Sequence, residues 1–187
     1  MSATFYDLGE RILAVCPKAG SQSIRKALLT DLGVREIQMH GIKNTPSRQG
    51  KGVIWFVRNP LERVRSAWRY FEHTVGWPKE TNIKQADYQT FVDLLLDGAS
   101  NRHWDSQTPM VTYTRFFLPT EIYPFEQIGQ LWDSVVGKGT LTHQNESAKI
   151  DTDTYREDDL IRHFADDYRH WSESQTFQPH NVNKYAY

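Results

Sequence analysis

With 187 residues, the chain is long enough to bury one substantial core, and its 22 basic and 23 acidic residues leave a formal net charge of -1. So balanced a charge does not imply a global electrostatic grip on nucleic acid or on a membrane; any anion site has to be local. One cysteine excludes an internal disulfide framework, no Cys/His set has structural-zinc spacing, and no run approaches the roughly 20 apolar residues of a membrane span. The N-terminus has no basic stretch leading into a long apolar run. The expectation is a soluble, cytoplasmic protein of one domain over residues 1–187, with residues 177–187 as a flexible tail and no bound metal.

Residues 11–16 (RILAVC) form a short apolar run that suits a buried strand. The polar stretch PKAGSQS follows, and then Ile24, Ala27, Leu28 and Leu32 recur at helical spacing, with Gly33 as a stop. Residues 36–40 are a candidate second strand and residues 41–52 a polar loop. VIWFV, residues 53–57, is the clearest strand, apolar throughout as central parallel strands are. Asn59-Pro60-Leu61-Glu62 is a strong helix start: cap, first-turn proline, and glutamate three after the cap. Leu61, Val64, Trp68 and Phe71 form the stripe of that helix. Further helices are expected over residues 88–96, 125–136 and 155–171, the last with Leu160, Ile161, Phe164, Tyr168 and Trp171 on one side. The order of elements predicts an α/β fold in three layers, a mostly parallel central sheet flanked by helices. In such sheets, ligands bind beyond the carboxyl ends of the strands.

Two junctions lie at that edge. In the first, Pro17 to Ser23 leave a strand and enter a helix whose first N–H groups attract anions. Gly20 permits close backbone approach, Lys18 adds a full charge, and Ser21 and Ser23 add hydroxyls. It is not a Walker loop, since G-x-x-x-x-G-K-[ST] is absent. Nor does Cys16 head a phosphatase loop, because Gln22 stands where arginine would be needed; Cys16 reads as a buried strand residue. In the second junction, Arg58 ends a strand and Ser66 lies two turns into the following helix, a pair able to hold phosphate oxygens. Taken singly, each junction reads equally well as an ordinary turn with solvated charges.

In series, the two resemble a known family. PKAGSQS resembles the 5'-phosphosulfate loop of sulfotransferases, and VRNPLERVRSAWRYF resembles their 3'-phosphate motif, with arginine at a strand end and serine eight residues on. The match is to the carbohydrate (Golgi-type, heparan 2-O-sulfotransferase-like) branch. NRHWDSQTP, IYPFEQIGQLWDSV, HQNES and DDYRHW are similar to later segments of that branch, in the same order. The resemblance implies a P-loop-like sulfotransferase fold and the donor 3'-phosphoadenosine 5'-phosphosulfate (PAPS), with adenosine 3',5'-bisphosphate as product. It assigns Pro17, Lys18, Ala19, Gly20, Ser21, Gln22 and Ser23 to the 5' end, Arg58 and Ser66 to the 3'-phosphate, and Asn145 and Ser147 to closure over the nucleotide. Lys18 would also stabilise the leaving group. His40 is the first candidate base and His103 the second. The implied acceptor is a hydroxyl of a glycan or small molecule, with no nucleic acid and no membrane as partner. The chain departs from the family at Gln22, where many members carry Thr or Ser, and it lacks the Golgi members' anchor and disulfides, which fits a compact cytoplasmic member. Two other readings stay open: a nucleotide-binding module of the same fold without transferase activity, and a P-loop-like nucleotide kinase.

Overall fold

The computed structural model describes residues 3–31, 33–37, 51–77, 85–112, 118–142 and 154–176. His40, Asn145 and Ser147 lie outside the described residues, as do residues 41–50 of the polar loop and the tail from residue 177. Five strands form one sheet: β1 (Thr4–Asp7), β2 (Arg11–Val15), β3 (Arg35–Ile37), β4 (Gly52–Val57) and β5 (Glu121–Pro124), in the order β3-β1-β2-β4-β5. β2, β4 and β5 pair in parallel, whereas β1 is antiparallel to both of its neighbours. The sheet is therefore mixed, not the mostly parallel one expected. β1 escaped sequence reading because four residues are too few to show a period. Its two buried rings, Phe5 and Tyr6, point to opposite faces, into different core clusters.

The period-2 alternation of β2 and β4 divides the core. Leu13, Val15, Ile54 and Phe56 face one side, where α1 (Ser21–Leu29) packs with Ile24, Ala27 and Leu28. Ile128, Trp132, Val135 and Val136 join them from the segment after β5. That segment is a 3-10 turn (Phe125–Gln127), a short helix α5 (Ile128–Leu131) and a π turn (Trp132–Val136). Ile12, Ala14, Cys16, Val53, Trp55 and Val57 face the other side, against Met110 and Val111 of α4 (Gln107–Thr112). Helices thus cover both faces, giving three layers.

A third cluster lies beside the sheet, between α2 (Pro60–Tyr70), α3 (Tyr88–Leu96) and α6 (Glu157–His163), around Phe71, Phe91, Trp104 and Leu160. The single helix expected over residues 155–171 is two, because Phe164 leaves helical geometry at φ -104° and ψ 33°. The break lets Leu160 and Phe164 stay in the third cluster, while Trp171 of α7 (Ala165–Ser174) turns to the sheet. Among the described residues, no helix is long and apolar enough to cross a membrane.

Gly139 lets the chain after the π turn lie on α1. Its φ is +65°, and a Cβ there would sit 2.1 Å from the carbonyl oxygen of Ala27. Trp132 Nε1 donates to the Lys138 and Gly139 carbonyls at 3.1 and 3.2 Å, fixing the same segment. We predict that Gly139→Ala lowers unfolding free energy by about 3 kcal/mol, combining left-handed strain with a backbone clash. Urea denaturation checks this; a loss under about 1 kcal/mol would mean the segment shifts freely.

Candidate functional site

Parallel pairing brings three strand ends to one edge. Ala14 of β2 lies opposite Trp55 of β4, and Val57 opposite Pro124 of β5, so the turn after β2, residues 58–59 and residues 125–126 are neighbours. The first turn closes with Ala19 N–H donating to the Cys16 carbonyl at 3.2 Å. Lys18 takes a left-handed conformation, φ +63°, unusual for a residue with a side chain. Gly20 follows at φ +66° as the N-cap of α1; among the described residues no side chain caps that end, and no acidic residue occupies its first turn. A Cβ on Gly20 would also meet the Phe125 ring at 2.5 Å. Glycine is thus required by backbone and by packing, besides any approach of a ligand.

Three cations converge on this turn. Lys18 Nζ lies 3.8 Å from the centroid of the Tyr70 ring. Burial, followed by the charges of Arg58 and Arg63, lowers its pKa to about 8. Arg58 Nη1 donates to the Lys18 carbonyl at 2.6 Å, and its guanidinium lies 5.5 Å from the centre of the Phe125 ring. Arg63, only 1% exposed, donates from Nε to the Pro17 carbonyl at 3.1 Å. Its Nη1 and Nη2 donate to the carbonyls of Asp105 and Arg102 at 2.6 and 3.2 Å. Among the described residues, none of the three has a carboxylate at ion-pair distance. Such a group of partly desolvated, unneutralised cations beside a helix N-terminus is chemically matched to a multiply charged anion.

The carboxylates nearby are engaged elsewhere. Asn59 accepts from the Leu61 and Glu62 amides at 2.9 and 3.4 Å, as its sequence predicts, but Glu62 pairs with Arg65 at 2.8 Å instead of closing a capping box. The Asn59 amide donates to Glu126 Oε1 at 2.9 Å, and Glu126 Oε2 accepts from Trp171 Nε1 at 3.0 Å. Asp167, 1% exposed, accepts from the Gln107 amide at 2.6 Å, from the amide and hydroxyl of Thr108 at 2.7 Å each, and from Ser106 at 2.8 Å. Gln107, wholly buried, clamps the end of β4: its Nε2 donates to the Arg58 carbonyl at 2.9 Å and its Oε1 accepts from the Arg58 amide at 3.2 Å.

No family model, curated protein or solved structure matches the chain. The site therefore rests on its own residues. The fold brings Pro17 to Ser23, Arg58 and His103 into one region. Ser66 is buried on α2, on the helical face that also carries Arg63 and Tyr70, not on a solvated face. Gln22 is exposed, and Ser21 and Ser23 are partly so. His103 packs its ring 5.7 Å from Tyr70 and 5.2 Å from Phe71, centre to centre; its Nε2 lies 3.5 Å from Arg102 Nε, and its Nδ1 is buried without a partner among the described residues. Burial, then the charges of Arg102, Lys18 and Arg63, push its pKa down to about 4, so the ring is neutral at pH 7. Cys16 is wholly buried and desolvation pushes its thiol up to about 12, which suits packing.

Sequence reading gave no role to Arg63, Tyr70 or Asp167, and caught Gln107 only as part of the NRHWDSQTP segment. A signal for Arg63 exists: Ser66 and Ala67, three and four residues on, are small enough to let a long side chain lie flat beneath the helix. Asp167 had none, since its partners are 59 to 61 residues away.

Lys18 sets a trade-off that can be measured. Its lowered pKa means the charged form is disfavoured in the folded protein. Below pH 8 the native state carries the full penalty. Between pH 8 and 10.5 the unfolded chain binds more protons, so stability rises. We predict that Lys18→Gly, which removes both the buried charge and the left-handed side chain, stabilises the ligand-free protein at pH 7 by about 1–2 kcal/mol after discounting for solvent screening. The gain should shrink towards pH 10.5 in urea titrations. A destabilised variant would place Lys18 among the residues that hold the fold.

Proposed function

We propose that this chain binds a nucleotide bearing anionic groups at both ends and is a PAPS-dependent sulfotransferase acting on a hydroxyl of a carbohydrate or small molecule. The observation that carries this reading is the convergence of Lys18, Arg58 and Arg63, without a carboxylate partner among the described residues, on the turn that leads into α1. Two adjacent strand ends, each running into a helix, are compatible with a donor phosphorylated at both ends. The order of sequence motifs supports the same assignment.

In this reading, the donor supplies an activated sulfuryl group on a 5'-phosphate. Lys18 and the start of α1 hold that phosphate and concentrate positive potential where negative charge develops as the sulfuryl group leaves. Arg58 and Ser66 hold the 3'-phosphate. Arg58 also steadies the loop itself through the Lys18 carbonyl. Lys18 acts while protonated, and a pKa of about 8 keeps it so at neutral pH. His103, neutral there and held in an aromatic wall of Tyr70 and Phe71, would meet the acceptor hydroxyl through Nε2, since its Nδ1 is buried. His40, the other candidate base, is assigned by its place in the sequence.

Calorimetry with adenosine 3',5'-bisphosphate and with ATP, each with and without magnesium, tests the donor class. The bisphosphate should bind more tightly and without need of the metal; tighter binding of magnesium-ATP would sink the reading in favour of a kinase. Arg58→Ala should weaken the bisphosphate by roughly 10- to 100-fold, the worth of a charge-assisted pair, and its 3'-hydroxyl analogue far less. Equal losses would make Arg58 structural.

The pH profile of transfer from PAPS, screened over glycans and phenols, identifies the base. The rate should fall above about pH 8 as Lys18 loses its proton. If His103 is the base, the acid limb has its midpoint near 4. A midpoint well above 4 that disappears in His40→Ala assigns the role to His40 instead. A rate that stays flat through pH 8 would remove Lys18 from the mechanism.

A further inference from the structure

Among the described residues, Arg63 is the largest buried charged side chain, and its surroundings are unusual for a buried cation. It touches no carboxylate among the described residues. Instead, its planar fork donates to three backbone carbonyls from two separate loops: Pro17 on one side, Arg102 and Asp105 on the other. Pro17 begins the turn that carries Lys18, and Arg102 and Asp105 flank His103 and Trp104. A guanidinium is suited to this because its five donors are fixed in one plane, so three well-directed bonds also fix the angle between the segments. Burial lowers the Arg63 pKa, and Asp167 and Asp105 offset only part of that from beyond ion-pair distance.

We propose that Arg63 is a positioning residue that holds the Lys18 turn and the His103 segment at a fixed spacing, so that an anion bound at the first is presented to the second. This rests on the anion-binding reading above, but the geometry concerns the chain alone. Ala67, 0% exposed one turn beyond Arg63, packs the same stretch of helix into the core. Lysine in its place would offer one ammonium and could not span three carbonyls set apart in this way.

The test uses no ligand. The His103 ring titration is followed by NMR in the wild type, in Lys18→Ala, in Arg63→Lys and in the double variant. The charged groups bearing on that ring are Arg102 from its own segment, and Lys18 and Arg63 from the turn and from α2. If Arg63 fixes the spacing, Lys18→Ala raises the His103 midpoint by about half a pH unit in the wild-type frame, and by less than half as much in the Arg63→Lys frame. Arg63→Gln, which keeps two amide donors and buries no charge, is the second frame should the lysine variant fail to fold. An undiminished shift in either folded frame overturns the proposal. Failure of both variants to fold overturns it too, since Arg63 would then be needed for the core as a whole. If wild-type protein shows the coupling but binds no adenosine 3',5'-bisphosphate, the nucleotide reading fails while the positioning role stands.

Discussion

Gathering Lys18, Arg58 and Arg63 at one sheet edge is unfavourable by itself, because each loses water and each repels the others. The neighbouring architecture answers that constraint with dipoles and ring faces. Backbone carbonyls accept from both arginines, the Tyr70 ring lies under the lysine, and the Phe125 ring lies near Arg58. Dipoles and quadrupoles offset part of the desolvation without neutralising the charge. Positive potential therefore remains at the site, where a carboxylate partner would have cancelled it.

A second layer keeps the edge rigid. Helix α7 reaches both residues of the β4 exit: Asp167 orders the start of α4, whose Gln107 amide brackets Arg58, and Trp171 orients Glu126, which takes the Asn59 amide. These bonds span 45 to 67 residues of sequence. Preorganisation of this kind is what electrostatic stabilisation needs, since dipoles that must swing into place during a reaction stabilise it less.

Much of this was legible in the sequence, for local reasons. The apolar run of β4, the Asn-Pro start of α2 and the spacing of Ile24, Ala27 and Leu28 each encode their own element. The two loops carrying Lys18 and Arg58 could be placed on one edge because parallel strands put their exits together. What could not be read depends on distant partners. β1 is a strand because β2 and β3 flank it; Glu62 leaves the cap because Glu126 arrives from elsewhere; the helix after residue 155 breaks because its halves bury against different layers. Arg63 is the harder case, since its partners among the described residues are backbone carbonyls, and only the small residues after it hint at burial.

The environment of Cys16 has a practical corollary. It is the chain's sole thiol, sealed at the end of β2 with its Sγ 3.9 Å from the Gln107 carbonyl. The thiolate is the reactive form, and desolvation suppresses it. Alkylating reagents and mild oxidants should pass the native protein by. A cysteine introduced at an exposed position would then be the only one to take a fluorophore or spin label, leaving the native residue in place as a reporter of unfolding.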